Sequence, residues 1–129
     1  MFHKFIVVAA WGSIAVLAYA TLTHVEFVYS IYYKLAPFLN RPEMSAYVHF
    51  EHVIVFAIFG ALFAFAYPRS LFFVCSVVIF SAGALEYLQT LTLDRHGTLI
   101  DACEKMAGGT LGVLAARASL FLLRRNRAS

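Results

Sequence analysis

Long uncharged apolar stretches alternate with short polar stretches along this chain. Residues 5–23 carry no charge, and two further stretches, Val53 to Pro68 and Ser70 to Leu85, each run for 16 residues without a charge or a histidine. Because a membrane-spanning helix needs about 20 residues, the second and third helices must draw polar neighbours into their ends. The pattern therefore predicts spans at 5–23, 49–67 and 70–90.

A fourth span must include charged residues, because no uncharged stretch of sufficient length follows residue 98. Lys105 and Arg117 enclose only 11 residues. A span at 99–120 therefore carries Asp101, Glu104 and Lys105 at one end, and Arg117 at the other, where its long side chain can reach the membrane surface. The prediction is an all-α, polytopic membrane protein that folds as a single four-helix transmembrane bundle over residues 1–129.

Residues 24–48 join the first two predicted spans and mix aromatic with charged side chains. Pro37 and Pro42 prevent one continuous helix, and aromatic side chains gather at membrane–water boundaries. We expect an interfacial aromatic loop, which either caps the bundle or forms a lid over a substrate. Ala18-Tyr19-Ala20 imitates a signal-peptide cleavage site, but the apolar stretch before it is long for a signal peptide and favours a span.

Composition agrees with a membrane location. Of the 129 residues, 62% are hydrophobic and only 13% are charged, with a mean hydropathy of +0.79, whereas soluble domains carry about 25% charged residues. The formal net charge of +3 comes mainly from three arginines near the C-terminus, and basic residues beside spans favour the cytoplasmic side. We therefore predict a multi-pass protein of the cytoplasmic (inner) membrane with both termini in the cytoplasm and no nucleic-acid partner.

This topology brings the polar ends of the last three spans to the extracytoplasmic face. A charge costs about 2.5–3.5 kcal/mol at the middle of a span and less toward its ends, so these side chains must pair or line a polar pocket. In one interpretation they form a structural plug, with Asp101 pairing with Lys105 and Glu86 with Arg95. In the other they bind the polar, anionic head group of a membrane lipid or lipid-linked envelope precursor. The predicted ligand-binding residues are His52, Glu86, Gln89, Arg95, Asp101 and Lys105.

The same end contains two histidines, His49 and His52, whose spacing places them on one helical face. Glu51 lies about 100° from His52 around the helix, and no third ligand lies nearby in the sequence. The prediction is therefore no metal site and no cofactor. Cys75 and Cys103 lack metal-binding spacing, and the topology puts them toward opposite faces of the bilayer, which argues against a disulfide.

Glycines extend the polar end of the fourth helix into a stripe. Asp101, Lys105, Gly108 and Gly112 follow the spacing i, i+4, i+7 and i+11, so they share one face. The Gly-x-x-x-Gly spacing lets another helix backbone approach closely. The predicted helix-packing residues are Gly60, Gly108 and Gly112, and the same stripe also allows a homo-oligomer.

The order and spacing of these residues resemble the VanZ-like family of small integral membrane proteins. The match covers residues 49–115 and consists of His52, Gly60, Glu86-x-x-Gln89, Arg95, Asp101, Gly108 and Gly112. It departs from the family at His49, where a lysine is expected, and at Lys105, where many members have asparagine. The resemblance implies a cell-envelope membrane protein with a role related to glycopeptide (teicoplanin) resistance, and it implies no particular reaction.

Three other functions stay open. An intramembrane enzyme could use Glu86 or His52 as a general base on a lipid-linked substrate, but the chain has no recognisable catalytic motif, so an enzyme is not the favoured prediction. A proton- or ion-linked transporter is disfavoured because the ionisable groups gather at one end of the bundle. A scaffolding subunit would use the glycine stripe as its contact surface and keep the polar cluster as a structural element.

Overall fold

The structure, a computed structural model, describes residues 1–22, 34, 37, 44–91 and 98–128, with only the backbone described for residues 44–50. Four helices account for almost all of this part of the chain, and it contains no strand. They are α1 (Phe2–Leu22), α2 (Met44–Ala66), α3 (Leu71–Thr90) and α4 (Leu99–Ala128). The predicted all-α fold is confirmed.

Most helix bounds lie within three residues of the predicted spans, and two differ by more. α2 begins at Met44 and so takes in the last five residues assigned to the aromatic loop, because nothing between Pro42 and the apolar stretch interrupts a helix. α4 has 30 residues and continues eight residues beyond the predicted end of its span. Its arginine-rich tail is therefore helical and projects past the apolar part of the bundle. The rest of the predicted aromatic loop lies largely outside the described residues.

Contacts at both ends of the bundle show that successive helices run antiparallel. His3 Nε2, at the start of α1, lies 3.0 Å from the carbonyl oxygen of Ala66 at the end of α2, and Arg117 of α4 donates a hydrogen bond to Pro68 O in the turn after α2. At the opposite end, Gln89 of α3 donates to Thr21 O at the end of α1, over 3.0 Å. The start of α1 and the end of α2 therefore lie at one end of the bundle, and the ends of α1 and α3 lie at the other.

A row of phenylalanines on α2 forms the centre of the core. Phe56, Phe59 and Phe63 recur every three or four residues, which places them on one helical face, and none is more than 1% exposed. Their rings meet edge to face, with centroids 5.7 Å and 5.1 Å apart, and Trp11 of α1 adds a similar contact with Phe63 at 5.6 Å. This geometry is the favoured one for aromatic pairs.

α2 and α4 pack backbone to backbone through glycines. A Cβ atom at Gly112 would overlap the carbonyl oxygen of Ala57, one at Gly108 would overlap that of Val53, and one at Gly60 would overlap that of Gly109. The structure thus places all three predicted packing glycines at a single helix crossing. A larger residue there would push the two helices apart.

The outer surface of the bundle is apolar. Large hydrophobic side chains are exposed on all four helices, including Phe5, Ile58, Phe72, Phe80 and Phe121, which is far more exposed apolar surface than a soluble monomer presents. α1, α3 and α4 are each long and apolar enough to cross a membrane, and Glu51–Ala66 is a shorter apolar segment of α2. The chain is therefore a polytopic helical membrane protein.

Candidate functional site

Polar side chains gather at one end of the bundle, where α1 and α3 end and α2 and α4 begin. They form two neighbouring groups that differ in burial. We call Glu86, Gln89 and Lys105 the buried network, and we call His52, Asp101 and Glu104 the His-carboxylate cluster. Lys105 is 0% exposed, whereas the side chains of the cluster are 19–24% exposed.

Lys105 is the centre of the buried network. Its Nζ atom forms an ion pair with Glu86 Oε2 and donates a second hydrogen bond to Gln89 Oε1 over 3.2 Å. Glu86 and Gln89 lie three residues apart on α3, so both face α4 from the same side of their helix. The ammonium group therefore meets one carboxylate and one amide oxygen in a site with almost no access to solvent.

The remaining polar atoms of this network bind backbone groups of the neighbouring elements. Glu86 Oε1 accepts a hydrogen bond from Thr98 N over 2.8 Å, and Gln89 Nε2 donates to Thr21 O over 3.0 Å. Thr98 immediately precedes α4, and its hydroxyl accepts from Asp101 N over 3.2 Å, as an N-cap residue does. The network thus fixes the start of α4 against the ends of α1 and α3.

The partner of Lys105 is not the one that helix spacing favours. Asp101 lies at i−4 on the same helix, but the ion pair found among the described residues joins Lys105 to Glu86 of α3. Lys105 shares its face with Gly108 and therefore points into the bundle. There the carboxylate of Glu86 is itself buried, so each charge neutralises the other.

The His-carboxylate cluster combines residues from α2 and α4. His52 Nδ1 lies 3.9 Å from Asp101 Oδ1 and 3.9 Å from Glu104 Oε2, which is too long for a hydrogen bond. The Nδ1 atom is nevertheless buried, and it has no hydrogen-bond partner in the described part of the chain. An imidazole nitrogen and two carboxylates are all ligands that a divalent metal ion can use.

Of the predicted ligand-binding residues, the structure places five at this end of the bundle and divides them between the two groups. Glu86, Gln89 and Lys105 belong to the buried network, and His52 and Asp101 to the His-carboxylate cluster. Arg95 and the side chain of His49 lie outside the described residues. Glu51, expected to lie off the face of His52, is exposed.

Glu104 is the cluster residue that the predicted ligand set omits. The prediction of no metal site considered ligands near His52 in the sequence, whereas Asp101 and Glu104 come from another helix. Their i, i+3 spacing on α4 was a usable signal. The register between α2 and α4 could not be predicted. It is set by the contact of Gly108 with Val53, the residue that follows His52.

Comparison with known proteins gives no relative. No family model, no curated protein and no solved structure matches this chain.

Proposed function

We propose that this protein binds the polar head group of an amphiphile, a membrane lipid or a lipid-linked envelope precursor, at the extracytoplasmic end of its bundle in the cytoplasmic membrane. The observation that carries the proposal is the position of the His-carboxylate cluster. Its partly exposed polar side chains border exposed apolar residues, Leu99 and Ile100 of α4. An amphiphile presents the same combination, because its head group is polar and its chains are apolar.

Binding of an anionic head group requires a cationic side chain other than Lys105, because Lys105 is already paired with Glu86. Arg95 lies in the sequence between α3 and α4 and is our candidate for that cation, since a guanidinium binds phosphate or carboxylate with two parallel hydrogen bonds. The cluster itself would accept hydrogen bonds from hydroxyl or amine groups of the same head group.

Membership of the VanZ-like family is part of this proposal, with a role related to the cell envelope and to glycopeptide resistance. Support comes from the positions of the shared residues in the fold. Glu86 and Gln89 bind Lys105 in the buried network, and Gly60, Gly108 and Gly112 lie where α2 and α4 touch. The pattern thus consists largely of residues that this bundle needs for its own assembly.

Native mass spectrometry of the purified protein tests the head-group proposal. We expect an amphiphile to copurify with the wild-type chain, and synthetic polyprenyl phosphate or an anionic phospholipid to raise its melting temperature in detergent. Arg95→Ala should abolish both effects. Arg125→Ala is the matched control, because it removes an exposed arginine from the far end of α4. Equal binding by the two variants, or no stabilisation by any of these amphiphiles, would contradict the proposal.

A scaffolding subunit is the second candidate, and the closure of the buried network favours it. The polar atoms of Glu86 and Gln89 bind Lys105, Thr98 and Thr21, so this group needs no ligand. In that case the polar end only holds the helices together. Crosslinking in membranes would then capture one partner of defined size, and no amphiphile would copurify.

A further inference from the structure

His52 leaves one polar atom without a partner at the polar end of the bundle. Its Nδ1 atom is buried and has no hydrogen-bond partner among the described residues, although carboxylate oxygens of Asp101 and Glu104 each lie only 3.9 Å away. Direct hydrogen bonds would bring these atoms to about 2.7–3.2 Å. Since a buried polar atom without a partner is costly, the arrangement calls for an additional group between the three side chains.

A metal ion has the right size for this position. Divalent ions such as Zn²⁺ bind imidazole nitrogen and carboxylate oxygen at about 2.0–2.2 Å, so two atoms bound to one ion at a tetrahedral angle lie about 3.4 Å apart. Both distances from His52 Nδ1 are 3.9 Å, slightly longer than this separation, and the three ligand atoms all lie within 4.8 Å of one another. Small rotations of the two carboxylates would complete the coordination.

The helices hold these ligands on a rigid frame. Asp101 and Glu104 are three residues apart on α4, the spacing by which one helix supplies two ligands in metal-binding bundles. Gly108, one turn after Glu104, packs against the backbone of Val53, next to His52. Because the backbones are in contact there, the helix crossing fixes the backbone positions of His52, Asp101 and Glu104 relative to one another, and only side-chain rotations are left to adjust.

We propose that His52, Asp101 and Glu104 bind one divalent first-row transition-metal ion, such as Zn²⁺ or Mn²⁺. The mixture of imidazole and carboxylate suits these ions better than Ca²⁺ or Mg²⁺, which prefer oxygen ligands alone. Three protein ligands leave at least one coordination position for water or for an oxygen atom of a bound molecule. The site goes beyond the head-group proposal, and its test requires no amphiphile.

Metal titration of the full-length protein in detergent tests this site. After treatment with EDTA and its removal, Zn²⁺ and Mn²⁺ are added separately and binding is followed by isothermal titration calorimetry. We expect one ion to bind per chain. Glu104→Gln should weaken binding by about tenfold or more, because even the loss of a group that only supports a ligand costs about 10–100-fold in metal affinity.

Glu51→Gln is the matched control, since Glu51 is an exposed carboxylate one residue from His52 and outside the cluster. It should keep the wild-type affinity. Co²⁺ provides a second readout, because its visible absorption spectrum changes when an imidazole nitrogen enters the coordination sphere, and His52→Ala should remove that change. The site is disproved if binding is not saturable at one ion per chain, or if Glu104→Gln and Glu51→Gln bind the metal equally well while both remain helical by circular dichroism.

Discussion

Lys105 shows how a charged side chain can be buried in an apolar bundle. It is 0% exposed, yet its ammonium group contacts the carboxylate of Glu86 and the amide oxygen of Gln89. Two opposite charges taken from water together cost far less than one charge alone. The network is therefore sensitive to the loss of one partner and tolerant of the loss of both charges.

We expect Lys105→Met to destabilise the folded protein by about 3–5 kcal/mol, because it leaves the charge of Glu86 buried without its partner. Methionine keeps a similar length and apolar character, so packing should change little. The free energy of unfolding is measured by chemical denaturation in detergent micelles, followed by circular dichroism.

The double variant Lys105→Met/Glu86→Gln separates charge from packing. Glutamine can still accept the hydrogen bond from Thr98 N but carries no charge, so the double variant should be more stable than Lys105→Met alone. If the two substitutions destabilise additively, the ion pair does not couple these residues.

The partner of Lys105 could not be predicted from spacing along one helix. Burial of a charge near residue 105 follows from span length, because the uncharged stretch after it is too short to cross a membrane. The choice between Asp101 and Glu86 depends on which way α4 faces, and that rotation is set by its glycine contact with α2. Sequence reasoning thus predicted most of the polar residues that meet here, but not how they divide into the buried network and the partly exposed His-carboxylate cluster.

The packing of α2 against α4 depends on the absence of side chains at the crossing. We expect Gly112→Ala to destabilise the protein by about 1–3 kcal/mol, the usual cost of overpacking, because its Cβ would overlap the backbone carbonyl of Ala57. A backbone atom cannot rotate away as a side chain can. The free energy of unfolding in detergent micelles measures the effect.

Gly12→Ala is the control for this substitution. A Cβ at Gly12 would meet nothing within 4 Å, so only the better helix propensity of alanine acts there, worth up to about 1 kcal/mol of added stability. The two identical substitutions should therefore have opposite signs. Equal effects would mean that close approach at Gly112 does not limit the packing of α2 and α4.

Helix existence was the most predictable part of the fold, since apolar stretches of span length leave few alternatives to a helix in a membrane. Helix ends were less predictable. The predicted fourth span ends at residue 120 because that length suffices to cross a membrane, whereas α4 continues through three more apolar residues and the arginines to Ala128. Outside the membrane a helix ends at a capping residue or a helix breaker and does not need apolar residues to continue. Residues 121–128 contain no glycine or proline.

Charge is distributed unevenly along the long axis of the bundle. The acidic side chains that the structure describes, Glu51, Glu86, Asp101 and Glu104, all belong to the end that contains the His-carboxylate cluster. The opposite end carries Arg69 and Arg117, and the basic tail of α4 extends from it. Basic residues are retained on the cytoplasmic side of the membrane, so this asymmetry supports an orientation with the cluster facing outward.

Reporter fusions test that orientation for the whole molecule. An enzyme that is active only outside the cytoplasmic membrane, fused after Ser129, should be inactive, because four antiparallel spans return the C-terminus, with its basic tail, to the side of the N-terminus. The same enzyme fused after Leu91, at the end of α3, should be active, since three spans place that point on the opposite side. Activity after Ser129 together with none after Leu91 would show that the protein has the opposite orientation in the membrane. The His-carboxylate cluster would then face the cytoplasm, and its proposed ligands would have to come from the inner leaflet.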